Sequence, residues 1–174
     1  MFERLLRVVA SRWFRLVLVA LVVLALQTTL FSQIRPFGYA VQILAVFVAC
    51  AGATHSVQVG AVVGLVSGLM YDAVLATPLG LTALVCGAVG ALAAVLVQPF
   101  RDPAWWMRVL AASLAAAFGE ALLPVMKSVV GLGGWLQFRI VGVALVTFFG
   151  GLVFALPLLT VTRWTLRERI GRGD

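Results

Sequence analysis

Apolar residues run in long blocks along this chain, and short polar breaks separate the blocks at nearly regular intervals. The first block extends from about Leu16 to Phe31 and ends at Ser32 to Gly38, a break containing Arg35-Pro36. Further blocks cover about Tyr39–Ala53, Val57–Leu75, Pro78–Val97, Met107–Met126 and Ile140–Val161. Crossing ~30 Å of hydrocarbon takes about 20 helical residues, so the pattern predicts six spanning helices, of which the second is short. Gln27, Thr28 and Thr29 sit near the far end of the first span, where hydroxyls can bond back to helix carbonyls at little cost. The break Thr54-His55-Ser56 is tight, which makes spans 2 and 3 an antiparallel hairpin.

Two connecting segments behave differently. The stretch Gln98 to Arg108 holds two prolines, two arginines and Trp105-Trp106, and tryptophans beside arginines anchor at membrane surfaces. Lys127 to Arg139, with Gly131, Gly133, Gly134 and Trp135, is too weakly apolar and too short to cross. It reads as an interfacial or re-entrant stretch. The expected architecture is an all-α polytopic bundle: a basic interfacial segment over 1–15, a six-helix transmembrane domain over 16–161 and a basic tail over 162–174.

Composition supports the membrane reading. Of 174 residues, 63% are hydrophobic and 11% charged, where a soluble domain needs about 25% charged residues to cover its surface. A net charge of +7 would suit nucleic acid if it covered one folded face. It does not, so no nucleic-acid partner is expected. With six spans, Arg4, Arg7, Arg12, Arg15, Arg101, Arg108, Arg163, Arg167, Arg169 and Arg172 fall on one side, and Arg35, Lys127 and Arg139 on the other. The positive-inside rule then puts both termini in the cytoplasm, their arginines resting on anionic membrane lipid. A secretory signal is the rival for the basic start, but no small-residue cleavage site follows and five more apolar runs do.

The chemistry-bearing residues are few. Gly60, Gly64 and Gly68 stand four apart on span 3 and form a side-chain-free groove for another helix, in this bundle or in another chain. Asp72 continues that row. Thr77-Pro78, followed by Leu79 and Gly80, has the order of an N-cap and first helical residue, so span 4 would offer its free N–H groups to Asp72. A clamp on the 3–4 hairpin is the simpler role for Asp72, and a proton or ion site the rival. Glu120, on span 5, is a second intramembrane acid of unassigned role, with Lys127 seven residues on but Pro124 between. His55 reads as a headgroup-level polar residue rather than a proton relay. Cys50 and Cys86 read as small buried residues. No nucleophile–base constellation, metal-ligand spacing or phosphate loop stands out, so no enzyme, cofactor or metal is expected.

The run Gly60-Ala61-Val62-Val63-Gly64, then Gly68-Leu69-Met70-Tyr71-Asp72, then Pro78-Leu79-Gly80-Leu81 resembles the signature of the rod shape-determining protein MreD family. Chain length, span number and basic ends agree loosely. One departure is Val41-Gln42, where that family often shows Pro-Asp. The resemblance implies a non-catalytic component of the bacterial elongation machinery in the cytoplasmic membrane. It further implies an MreC-like periplasmic scaffold as partner and, through it, MreB-like filaments, a RodA-like glycosyltransferase and a class B penicillin-binding protein. A homodimer is compatible with it. The fold implied is a compact six-helix bundle similar to the substrate-binding subunits of energy-coupling-factor transporters. A vitamin- or metal-binding subunit of that kind is therefore the alternative, although Ala20 and Ala25 are five apart rather than at the four-residue spacing such subunits use for docking.

Overall fold

The computed structural model describes residues 12–29, 42–75, 80–131 and 139–166. All the regular structure among them is helical: α1 (Arg12–Thr29), α2 (Ile43–Thr54), α3 (Val57–Leu75), α4 (Leu81–Val97), α5 (Trp105–Val129) and α6 (Arg139–Leu166). By length and composition α3, α5 and α6 can cross a membrane, whereas α1, α2 and α4 are apolar but shorter.

α2 is the centre of the molecule. Every residue from Ile43 to Ala53 is buried, and the helix packs against all five others. Its sequence, ILAVFVACAGAT, is apolar all round, as a helix enclosed by neighbours on every side requires. At about 18 Å long it would fall short of the hydrocarbon thickness. Enclosure removes that difficulty, because α2 presents no surface to lipid.

The outer helices show the opposite pattern. Leu18 and Leu21 on α1, Leu84 on α4, Leu114 and Phe118 on α5, and Val141, Phe149 and Val153 on α6 are all at least half exposed. Large aliphatic and aromatic side chains turned outward suit hydrocarbon, not water. Two clusters fill the interior. One joins α2, α4, α5 and α6 through Val46, Cys50, Val89, Ala112 and Ala155. The other joins α1, α2 and α3 through Leu16, Val23, Phe47 and Val63.

Several helix ends differ from the hydropathy blocks. α1 begins at Arg12 and α6 continues to Leu166, since basic residues at an interface extend a helix as readily as apolar ones. α5 continues through Pro124 to Val129 and so includes Lys127; the proline does not divide it. It stops at Gly131, whose φ of +81° is the left-handed conformation that commonly closes a helix. Residues 132–138 of the expected interfacial stretch lie outside the described residues. α4 starts at Leu81, not at Pro78. Gly80 precedes it with a φ of +99°, which no helical residue adopts.

Candidate functional site

The α3–α4 hairpin is built on backbone contact. Gly60, Gly64 and Gly68 all face α4, and each is too close to it for even a methyl group. A Cβ on Gly60 would meet the Gly90 carbonyl and fall 2.8 Å from the Gly52 Cα. One on Gly64 would fall 2.7 Å from the Gly87 Cα, and one on Gly68 would sit 2.8 Å from the Ala83 nitrogen. A Cβ on Gly52 of α2 would also meet the Gly90 carbonyl, so three helices converge where Gly52, Gly60 and Gly90 meet. Helices approach this closely where at least one of them lacks a side chain at the contact, and dispersion across such contacts holds apolar helices together in lipid.

That approach fixes what Asp72 can reach. Gly68 brings the α3 backbone against Thr82 and Ala83 in the first turn of α4, and Asp72 follows one turn later on the same row. Its carboxylate is 0% exposed. Oδ2 accepts hydrogen bonds from the N–H groups of Gly80 (2.9 Å), Thr82 (3.1 Å) and Ala83 (3.4 Å). These are the groups a helix N-terminus leaves without partners, and they carry its positive dipole end. An anion there is both hydrogen-bonded and electrostatically compensated. Thr77, Pro78 and Leu79 lie outside the described residues. Gly80 itself provides no side-chain cap.

α2 is capped in the same manner. Gln27 is buried near the end of α1, and its Oε1 accepts from the Ile43 N–H at 2.7 Å. Thr28 and Thr29 beside it bond back to carbonyls of their own helix, at 3.1 Å to Leu24 and 2.6 Å to Ala25. Gln42, the residue before α2, makes no side-chain cap to its own helix. Sequence reasoning missed Gln27. Its single signal is a long polar side chain within a helical turn of the two threonines, and nothing in spacing says that it reaches across while they reach back.

Glu120 is 7% exposed on α5. It has no hydrogen-bond partner among the described residues, and Lys127 lies within electrostatic reach. Asp72 and Glu120 both act on Tyr71 and Cys86, which places the two carboxylates around the same part of the bundle. Gly119 next to it lies against Val89 of α4. His55 is exposed in the α2–α3 turn, its Nδ1 2.8 Å from the Thr54 hydroxyl. Cys50 and Cys86 are buried free thiols. No group of three or more His, Cys, Asp or Glu residues suited to a metal ion occurs among the described residues.

The arrangement uses polar side chains to tie helix ends to neighbouring helices. Neither a curated protein nor a solved structure matches the chain. A family model described as rod shape-determining protein MreD matches residues 7–159 of the 174, which includes all of α1 to α5 and most of α6. With its apolar, outward-facing helices, the chain belongs to the MreD family of rod shape-determining membrane proteins.

Proposed function

We propose that the protein is a non-catalytic component of the bacterial elongation complex. It crosses the inner membrane six times with both termini cytoplasmic, and it binds an MreC-like periplasmic scaffold that couples it to peptidoglycan synthesis. The family match over residues 7–159 carries this reading. The chemistry of the interior supports it. Asp72 and Gln27 satisfy N–H groups at the starts of α4 and α2. Polar groups spent on helix ends are not available to coordinate a solute. The hairpin formed by Gly60, Gly64, Gly68, Asp72 and Gly80 thus serves assembly, giving a rigid body on which a partner can dock.

Co-expression with a single-span, coiled-coil MreC-like protein, followed by affinity purification in mild detergent, tests the reading. The two chains are expected to co-purify in a fixed ratio, with no vitamin or metal ion retained. Recovery of the chain with a stoichiometric vitamin and an ATPase pair, and without the scaffold, would replace it with a transport role.

A further inference from the structure

Away from Asp72, at the other end of the bundle, the α2–α3 turn, the end of α4 and the start of α5 enclose a cavity of about 300 Å³. Its polar lining comes from Thr54, His55, Ser56, Gln98 and Arg108. A second hollow of about 470 Å³ lies on the other side of Thr54 and His55, lined also by Arg163 and Trp164.

Arg108 is the unusual group. Its Nε is buried and has no hydrogen-bond partner. Its electrostatic neighbours are Arg163, a like charge, and Asp102. An arginine that only marks membrane topology holds its head in water, as Arg101 does in the loop before α5, where it is exposed. Arg108 instead lines this cavity with a partly buried guanidinium, and the second cation, Arg163, lines the hollow that shares Thr54 and His55 with it. A buried donor without an acceptor is unfavourable, and so is the repulsion between the two arginines. One kind of occupant relieves both: an oxyanion that matches the guanidinium fork. Ser56 and the first residue of α3, Val57, line the same cavity; the Ser56 hydroxyl oxygen accepts from the Val59 N–H, and the hydroxyl proton and the Val57 N–H are the donors left to an anion there.

We propose that this cavity binds a phosphate group, with Arg108 as its main ligand and Arg163 compensating its charge. The headgroup of an anionic phospholipid and a free phosphate share this chemistry. Trp105 and Trp106, exposed at the start of α5, favour the headgroup, because such residues sit at headgroup level.

The test uses the full chain alone, so its failure leaves the scaffold reading untouched. Nanodiscs containing equal phosphatidylglycerol and phosphatidylcholine are the first probe, with retained lipid read by native mass spectrometry. Inorganic phosphate added to delipidated protein is the second, read by the unfolding temperature. The wild type is expected to retain phosphatidylglycerol in preference to phosphatidylcholine. Arg108→Gln should reduce that retention about tenfold or more, the scale of a lost charge-assisted hydrogen bond. Arg108→Lys should fall between them, keeping the charge without the fork, and Arg101→Gln should match the wild type. Stabilisation by inorganic phosphate without lipid preference, abolished in Arg108→Gln, would make free phosphate the source and keep the site. Equal retention of the two lipids with no response to phosphate overturns the proposal, as does an Arg108→Gln protein that behaves like wild type. Should Arg108→Gln fail to fold, the wild-type and Arg108→Lys results decide in the same terms.

Discussion

Replacing Gly60 with alanine is expected to destabilise the protein by about 3 kcal/mol, the upper end of what overpacking costs. The reason is where the new methyl would go. It meets the Gly90 carbonyl and the Gly52 Cα, which are backbone atoms of two other helices, and neither can move aside without shifting its whole helix. Gly90→Ala should do the same from the other side, since its methyl meets the Gly60 carbonyl. Gly87→Ala provides the contrast within the same interface. There the added atom lies 3.2 Å from the Leu65 Cγ, the end of a flexible side chain, and the cost should stay below about 1 kcal/mol. Thermal unfolding in detergent, followed by far-ultraviolet circular dichroism, ranks the three. A Gly60→Ala protein as stable as Gly87→Ala would show that α2, α3 and α4 do not meet at their glycines.

The second large effect is expected at Asp72. Asp72→Ala removes the oxygen that accepts from Gly80, Thr82 and Ala83, and leaves buried N–H groups at the start of α4 with nothing in their place. Losing a charged acceptor from a buried site costs about 3 kcal/mol, and the favourable interaction with the helix dipole goes with it. Asp72→Asn should be much milder. All three bonds converge on one oxygen, Oδ2, and an amide has one carbonyl oxygen to offer. These three bonds survive the exchange, and the charge at the helix end, worth about 0.3–1 kcal/mol, does not. The expected order of unfolding temperature is wild type, then Asn, then Ala. Equal loss in both variants would mean that the carboxylate's charge, not its hydrogen bonding, is what the fold needs.

The sequence was most informative where a residue type has few uses. Glycines four apart inside an apolar helix mark a close contact, but they do not identify the helix that fills it. Cys86, Gly87 and Gly90 of α4 lie in a run so uniformly small and apolar that no face of it stands out. The role of α2 was hidden for a related reason: a block too short to span looks like a weak element until five helices are seen around it. α4 begins after Gly80, whose left-handed backbone sets the chain direction into Leu81, and Thr77 and Pro78 lie outside the described residues. Gln42 shows a limit of local reading. It stands where the family pattern often has aspartate, a strong N-cap type, but its side chain makes no cap hydrogen bond and the cap of α2 comes from Gln27 on another helix. A cap supplied across helices leaves no mark in local spacing.

The central claim is that the intramembrane carboxylate of Asp72 holds two helices together and takes no part in proton or ion chemistry. The direct measurement is the shape of rod-forming cells whose own copy of this protein is replaced by Asp72→Asn, expressed at the wild-type level. The amide keeps the acceptor that α4 needs and cannot exchange a proton as a carboxylate does. Rod-shaped cells, with the scaffold still co-purifying, are the predicted result. Round cells containing a normally abundant, normally stable Asp72→Asn protein would contradict it.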